Sequence, residues 1–187
     1  MNRQRDAWVV ALSSAAIAAL SLAACGKNST PLLGRDTVVP ASVVIQHFPE
    51  VTKEAGTGPN ETSVGRPIGS RTVVFTSADG KKKVTLSIDQ YASASEAAAA
   101  YRTAVEGSVS APGFKPAAKP DLRQEAFAGT SQVGEEMHFG LGARDDRLIM
   151  SATHAGDIPV TPDNSTNLIR LGGEELTTAK QVLGGGP

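Results

Sequence analysis

The chain has 187 residues, a formal net charge of −1 and one cysteine. That length suits one domain of ordinary size, with a core that needs no disulfide staples. The near-neutral charge excludes the basic excess of a nucleic-acid binder, and a lone thiol excludes an intrachain disulfide and a cysteine-built metal site.

The first element is MNRQRD followed by AWVVALSSAAIAALSLAA. Arg3 and Arg5 give a positive start, then comes an apolar stretch, then small residues, which are the three parts of a secretory signal. A retained membrane helix is the competing reading, because roughly 20 apolar residues cross a bilayer. Ser13, Ser14 and Ser21 weaken the stretch, and only Lys27 follows it as a stop signal. The segment closes on LAAC, residues 22–25. Placed after such a signal, this tetrapeptide resembles the lipobox of bacterial lipoprotein precursors. The resemblance implies that Leu22, Ala23 and Ala24 form the cleavage recognition site and that Cys25 becomes a lipidated N-terminus. Two acyl chains, at about 0.8 kcal/mol per buried CH₂, hold a protein stably on a membrane where one does not. The expected partner is therefore the membrane, reached through a diacylglycerol on Cys25, and no cofactor is expected. Cleavage also removes Trp8, the only tryptophan.

The expected organisation is a cleaved signal over 1–24, the lipidated cysteine and a flexible tether over 25–36, one domain over 37–184 and a tail over 185–187. GKNSTPLLGRD, polar and broken by Gly and Pro, reads as the tether. TVVPASVVIQHFPEV predicts a short helix: Pro40 suits a first turn, and Pro49 stops the helix at Phe48. KEAGTGPNETSVGRPIG reads as a long loop. RTVVFT and KKKVTLSIDQY predict a hairpin turned at Asp79-Gly80, with Val84, Leu86 and Ile88 on its buried face. SASEAAAAYRTAVEG predicts a helix capped by Ser93 and Glu96 and ended by Gly107, with Ala97, Tyr101, Ala104 and Val105 on one face. Residues 108–129 read as loop. EEMHFGLGARDDRLIMSATH predicts a second hairpin, with Met137, Phe139 and Leu141 facing Leu148, Met150 and Ala152 on the core side. A last helix runs from about Asn164 to Leu183, weakened at Gly172 and Gly173.

The expected fold class is α+β, an antiparallel sheet of two hairpins with helices packed mainly on one face, in the order α-ββ-α-ββ-α. This element order resembles small envelope lipoproteins of the sandwich type related to photosystem II protein P and Mog1. That resemblance implies a binding or accessory protein.

Candidate chemistry is sparse. A metal needs converging ligands, yet the alternation puts His138 and His154 on opposite sides of their hairpin. They and His47 read as surface or strand-end histidines, and no metal site is expected. Glu135-Glu136 and Asp145-Asp146 are adjacent carboxylates, which diverge on a strand, and paired aspartates suit a hairpin tip. No nucleophile elbow, phosphate loop or dinucleotide fingerprint occurs. No catalytic residue is therefore assigned. Lys81, Lys82 and Lys83 are the candidate contact for an anionic surface, against the plainer reading of a solvated hairpin end. The sequons at Asn28, Asn60 and Asn164 read as coincidence in a bacterial lipoprotein.

The sequence thus leads to a lipid-anchored, non-enzymatic envelope module for a protein partner or an envelope lipid. With two membranes it is expected on the outer one, facing the periplasm, and otherwise on the outer face of the cell membrane. An envelope enzyme with an unrecognised site and a purely structural lipoprotein are the alternatives. A lipid ligand would need a cavity between sheet and helices.

Overall fold

A computed structural model describes residues 30–122 and 125–183. Its centre is a seven-stranded sheet in the order β1-β2-β3-β7-β6-β5-β4. The strands are β1 Lys53–Gly58, β2 Gly69–Thr76, β3 Lys82–Gln90, β4 Lys115–Pro116, β5 Glu125–Val133, β6 Glu136–Asp145 and β7 Leu148–Gly156. Every pair of neighbours is antiparallel. Two meanders, β1 to β3 and β4 to β7, meet where β3 pairs with β7. The helices are α1 Ala41–His47, α2 Ala94–Val109 and α3 Pro162–Leu183, with a 3-10 turn at Arg35–Thr37.

The two-hairpin sheet in the order α-ββ-α-ββ-α is thereby corrected to seven strands, with helices on both faces. Three strands were hidden for physical reasons. β1 is an exposed edge strand without apolar alternation, so it reads like the loop it adjoins. β4 is two residues long. β5 buries Ala126, Ala128 and Gly129, small residues that carry little strand signal. Space over Gly129 is filled by the Phe114 ring, which a Cβ there would strike.

The pleat sorts the rest. On one face Val73, Phe75, Val84, Leu86, Ile88, Leu141, Met150 and Ala152 form the core with Leu168, Leu171, Leu176 and Ala179 of α3 and Val44 of α1. The opposite face carries Thr72, Ser87, Asp89, Ser151 and Gly142, and α2 lies over part of it. Ser93 caps α2 by accepting from the Glu96 N–H at 3.2 Å, but the helix continues past Gly107 to Val109. Met137, expected on the core face, is 40% exposed beside the β5–β6 turn.

Two further expectations change. Residues 25–29 of the tether lie outside the described residues, whereas residues 31–33 are fixed on β2. There Ser70 N–H donates to Pro31 O at 2.9 Å and Leu33 N–H donates to Ser70 O at 3.0 Å. The α3 helix is also continuous through both glycines. A Cβ on Gly172 would lie 2.5 Å from Leu141 Cδ2 and 2.8 Å from Met150 Cε, so this glycine lets α3 sit close on the sheet. Gly172→Val should lower unfolding stability by about 1–3 kcal/mol through overpacking, measured by urea denaturation, with helical content retained. An unchanged urea midpoint would contradict this packing.

Candidate functional site

Under α2 the sheet surface falls away into a small recess. β3 supplies Asp89, β7 supplies Ile149 and Ser151, and β6 supplies Gly142. Phe127 of β5 lies against Gly142, at a place where a Cβ would collide with its ring. Tyr101 and Ala104 of α2 form the roof, and the loop after β1 adds Asn60 and Thr62. Tyr101 meets Phe127 edge-on, with ring centroids 5.9 Å apart. Near Tyr101, Arg144 Nε donates to Glu125 Oε2 at 2.7 Å.

Asp89 is the buried charge of this recess. Its Oδ2 accepts from Asn60 Nδ2 at 3.0 Å and its Oδ1 from Ser63 Oγ at 2.7 Å. Burial pushes its carboxyl up to about 6, and those two hydrogen bonds pull the other way. Asn60 is itself fixed, because its Oδ1 accepts from Thr62 N–H and Thr62 Oγ1 and its N–H donates to Ser70 Oγ. Tyr101 is held well above the usual phenol range, by burial first and by the Glu125 charge second. Its hydroxyl donates to no group among the described residues, whereas the Tyr91 hydroxyl donates to Val64 O at 2.6 Å. The recess holds about 40 Å³. A water needs about 10–15 Å³ on this measure, so a small polar group fits and an acyl chain does not.

The core side of the sheet buries two more titratable groups. Glu175 of α3 accepts the Val39 N–H on Oε2 at 2.8 Å, and its Oε1 has no hydrogen-bond partner among the described residues. Burial pushes it up to about 8, against the opposing pull of Val39 N–H and the Arg35 charge. His154 lies between Phe48 and Phe139, at 5.9 and 5.8 Å between centroids, and neither ring nitrogen has a hydrogen-bond partner among the described residues. Burial, then the His138 charge, pushes it down to about 4. It is held as a neutral aromatic plug.

The sequence candidates scatter. His138 and His154 are buried rather than surface residues. His138 meets Glu136 at 3.3 Å and His47 meets Glu174 at 2.9 Å. Among the described residues no cluster of three or more ligating side chains forms. Asp145 binds Lys180 at 2.8 Å, and Asp146 takes the left-handed turn position, φ 54°, at the β6–β7 tip. Lys82 pairs with Glu50 at 2.8 Å, and Lys81, Lys82 and Lys83 occupy the β2–β3 hairpin. Leu22, Ala23, Ala24 and Cys25 lie outside the described residues. Asp89, Asn60 and Tyr101 were missed as a site. Asp89 showed only as a wet-face residue and Tyr101 only as a core-face one. No local pattern signals that a loop some 30 residues upstream closes over Asp89.

No family model matches the chain, and no curated protein matches it. Among solved structures, the extracellular domain of PknH from Mycobacterium tuberculosis is similar in fold. Its TM-score is 0.52 at 8% identity, over 75% of this chain and 93% of that one. Among the described residues no helix is long and apolar enough to cross a membrane.

Glu175 sets an alkaline limit. Its folded pKa is raised, so its stabilising contribution is complete below the unfolded value of 4.5 and is lost as pH rises through about 8. Asp89 contributes in the same sense only up to about 6. His154 is depressed, so its contribution is complete above 6.5 and is lost as pH falls through about 4. Between these ranges and alkaline pH, Glu175 alone of the three titrates. Melting temperature should therefore fall from neutral pH to pH ~9 in the wild type and stay flatter in Glu175→Gln. Equal slopes in both chains would refute this.

Proposed function

We propose that the protein is a lipid-anchored envelope module that binds, without catalysis, a small hydroxyl- or amine-bearing group in the recess under α2. The observation that carries this reading is the buried Asp89 carboxylate, which lines the recess together with Tyr101, whose hydroxyl has no hydrogen-bond partner among the described residues. Asp89 offers further lone pairs to a donor, and Tyr101 can donate or accept. Phe127 and Ile149 provide the apolar walls that a small-ligand site needs. The recess volume favours a headgroup, a sugar hydroxyl or a side-chain tip over a lipid tail. LAAC supports the anchor on Cys25. The fold shared with an extracellular domain is compatible with an envelope location.

Two measurements test this reading. Thermal shift with ethanolamine and with glycerol as probes should show stabilisation by at least one, since a ligand that binds only the folded state raises the melting temperature. Tyr101→Phe should fold as well as the wild type but bind about fivefold more weakly, the ~1 kcal/mol of one hydrogen bond. No shift with either probe, or equal binding by Tyr101→Phe, would contradict the site. Separately, the full chain expressed in a bacterium fed an alkyne fatty acid should become labelled, and Cys25→Ala should not. Absence of label in the wild type would contradict the anchor.

A further inference from the structure

The place where the chain enters the fold decides which end of the domain can stand on a membrane. Residues 31–33 run parallel to β2 beside Ser70, so the chain arrives at the Gly69 end of that strand. Gln90 of β3 and Leu148 of β7 lie at the same end, because Gly69 pairs with Gln90 and Gln90 with Leu148. The last turns of α3 reach it too, where Lys180 binds Asp145. Lys81, Lys82 and Lys83 sit at the opposite end, where Lys82 pairs with Gly156.

Two lengths then matter. From Cys25 to Pro31 the backbone spans at most about 20 Å, even fully extended. From Gln90 to Lys82 the strand measures about 27 Å, at roughly 3.3 Å per residue. A domain standing on its lysine end would hold the tether entry farther from the bilayer than the tether can reach.

Among the described residues five large apolar side chains stand exposed, and three of them lie at the tether end, Leu32 at 52%, Ile68 at 46% and Val182 at 41%, whereas Met137 lies at the opposite end of the sheet and Val109 at the end of α2. Leu32 pairs with Ser70, and Ile68 donates its N–H to Gln90 O at 2.7 Å. Basic side chains at this end meet acidic ones, Arg147 with Asp146 at 4.0 Å and Lys180 with Asp145 at 2.8 Å, so the end carries no run of lysines like the one at the other end.

We propose that this end, marked by Leu32 and Ile68, rests on the bilayer that holds the Cys25 lipid, with the Lys81 hairpin pointing away. The proposal rests on the lipoprotein reading. The anchor supplies the affinity, and the aliphatic side chains supply the orientation, by dipping into the headgroup boundary. The loop carrying Asn60 then lies close to the headgroups.

The mature chain from Cys25 holds every described residue and has no tryptophan, so one added tryptophan reports its own surroundings. Ile68→Trp and Lys81→Trp chains are coupled through Cys25 to a maleimide phospholipid in phosphatidylcholine vesicles with brominated acyl chains. This chemical anchor works whatever a cell does to Cys25, so failure of the orientation and failure of acylation are read separately. Emission from Ile68→Trp should fall by about twofold and shift to the blue, as for an indole at the membrane interface, while Lys81→Trp stays unchanged. Quenching of Lys81→Trp, or an unchanged Ile68→Trp, would overturn the proposal.

Discussion

The structure depends on the pairing of β3 with β7. Nine residue pairs, from Lys82 with Gly156 to Gln90 with Leu148, run in unbroken register. This ladder joins two meanders into one sheet and assigns each side chain of the centre to a face. Val84, Leu86 and Ile88 go to the α3 side with Met150 and Ala152, whereas Ser87 and Asp89 go to the α2 side with Ser151 and Ile149. A slip of one residue would exchange the two sets. It would place Asp89 in the apolar core, where an unpaired carboxylate is costly, so the register is strongly specified.

The two faces then do different work. The α3 face is filled, and its close fit relies on Gly172 against Leu141 and Met150. It also tolerates two buried titratable groups by holding both neutral near pH 7: Glu175 protonated under Val39 and His154 deprotonated between two phenylalanines. The α2 face is built from small and polar side chains. Thr72 and Ser87 share a hydrogen bond of 2.7 Å across β2 and β3. The Phe127 ring fills the space over Gly142, and the alanine-rich helix above leaves the space between Phe127 and Asp89 unfilled. The recess is the result, with Asp89 and Tyr101 as its polar groups.

What the sequence made legible follows from these same forces. Both expected hairpins alternate large apolar with polar residues, and each forms where that period demands. Ser93 announces the start of α2 through its side chain, and Pro40 and Pro49 bracket α1. The opposite case is β5, whose core-facing positions are Ala126 and Ala128. It is held by pairing with β6 and by Phe114 arriving from outside, and neither contact is local in sequence. β1 carries no burial pattern because it is an edge. Gly172 read as a weakness of the helix, because propensity sees the lost Cβ and not the sheet that needs the space. The site was illegible for a related reason. Asn60 and Ser63 reach Asp89 across nearly 30 residues, and no spacing rule connects a loop to the strand it covers.

One filled face and one face holding a small polar recess suit a domain that presents a binding site, and under the anchored reading proposed above that site stands close to a membrane. The central claim is occupancy of that recess. The most direct measurement is native mass spectrometry of the full chain extracted from bacterial membranes in mild detergent, beside Asp89→Leu purified in the same way. A small mass that leaves the wild type on denaturation and is missing from Asp89→Leu is the predicted result. A wild-type chain with nothing bound, or an equal adduct on both chains, would contradict it.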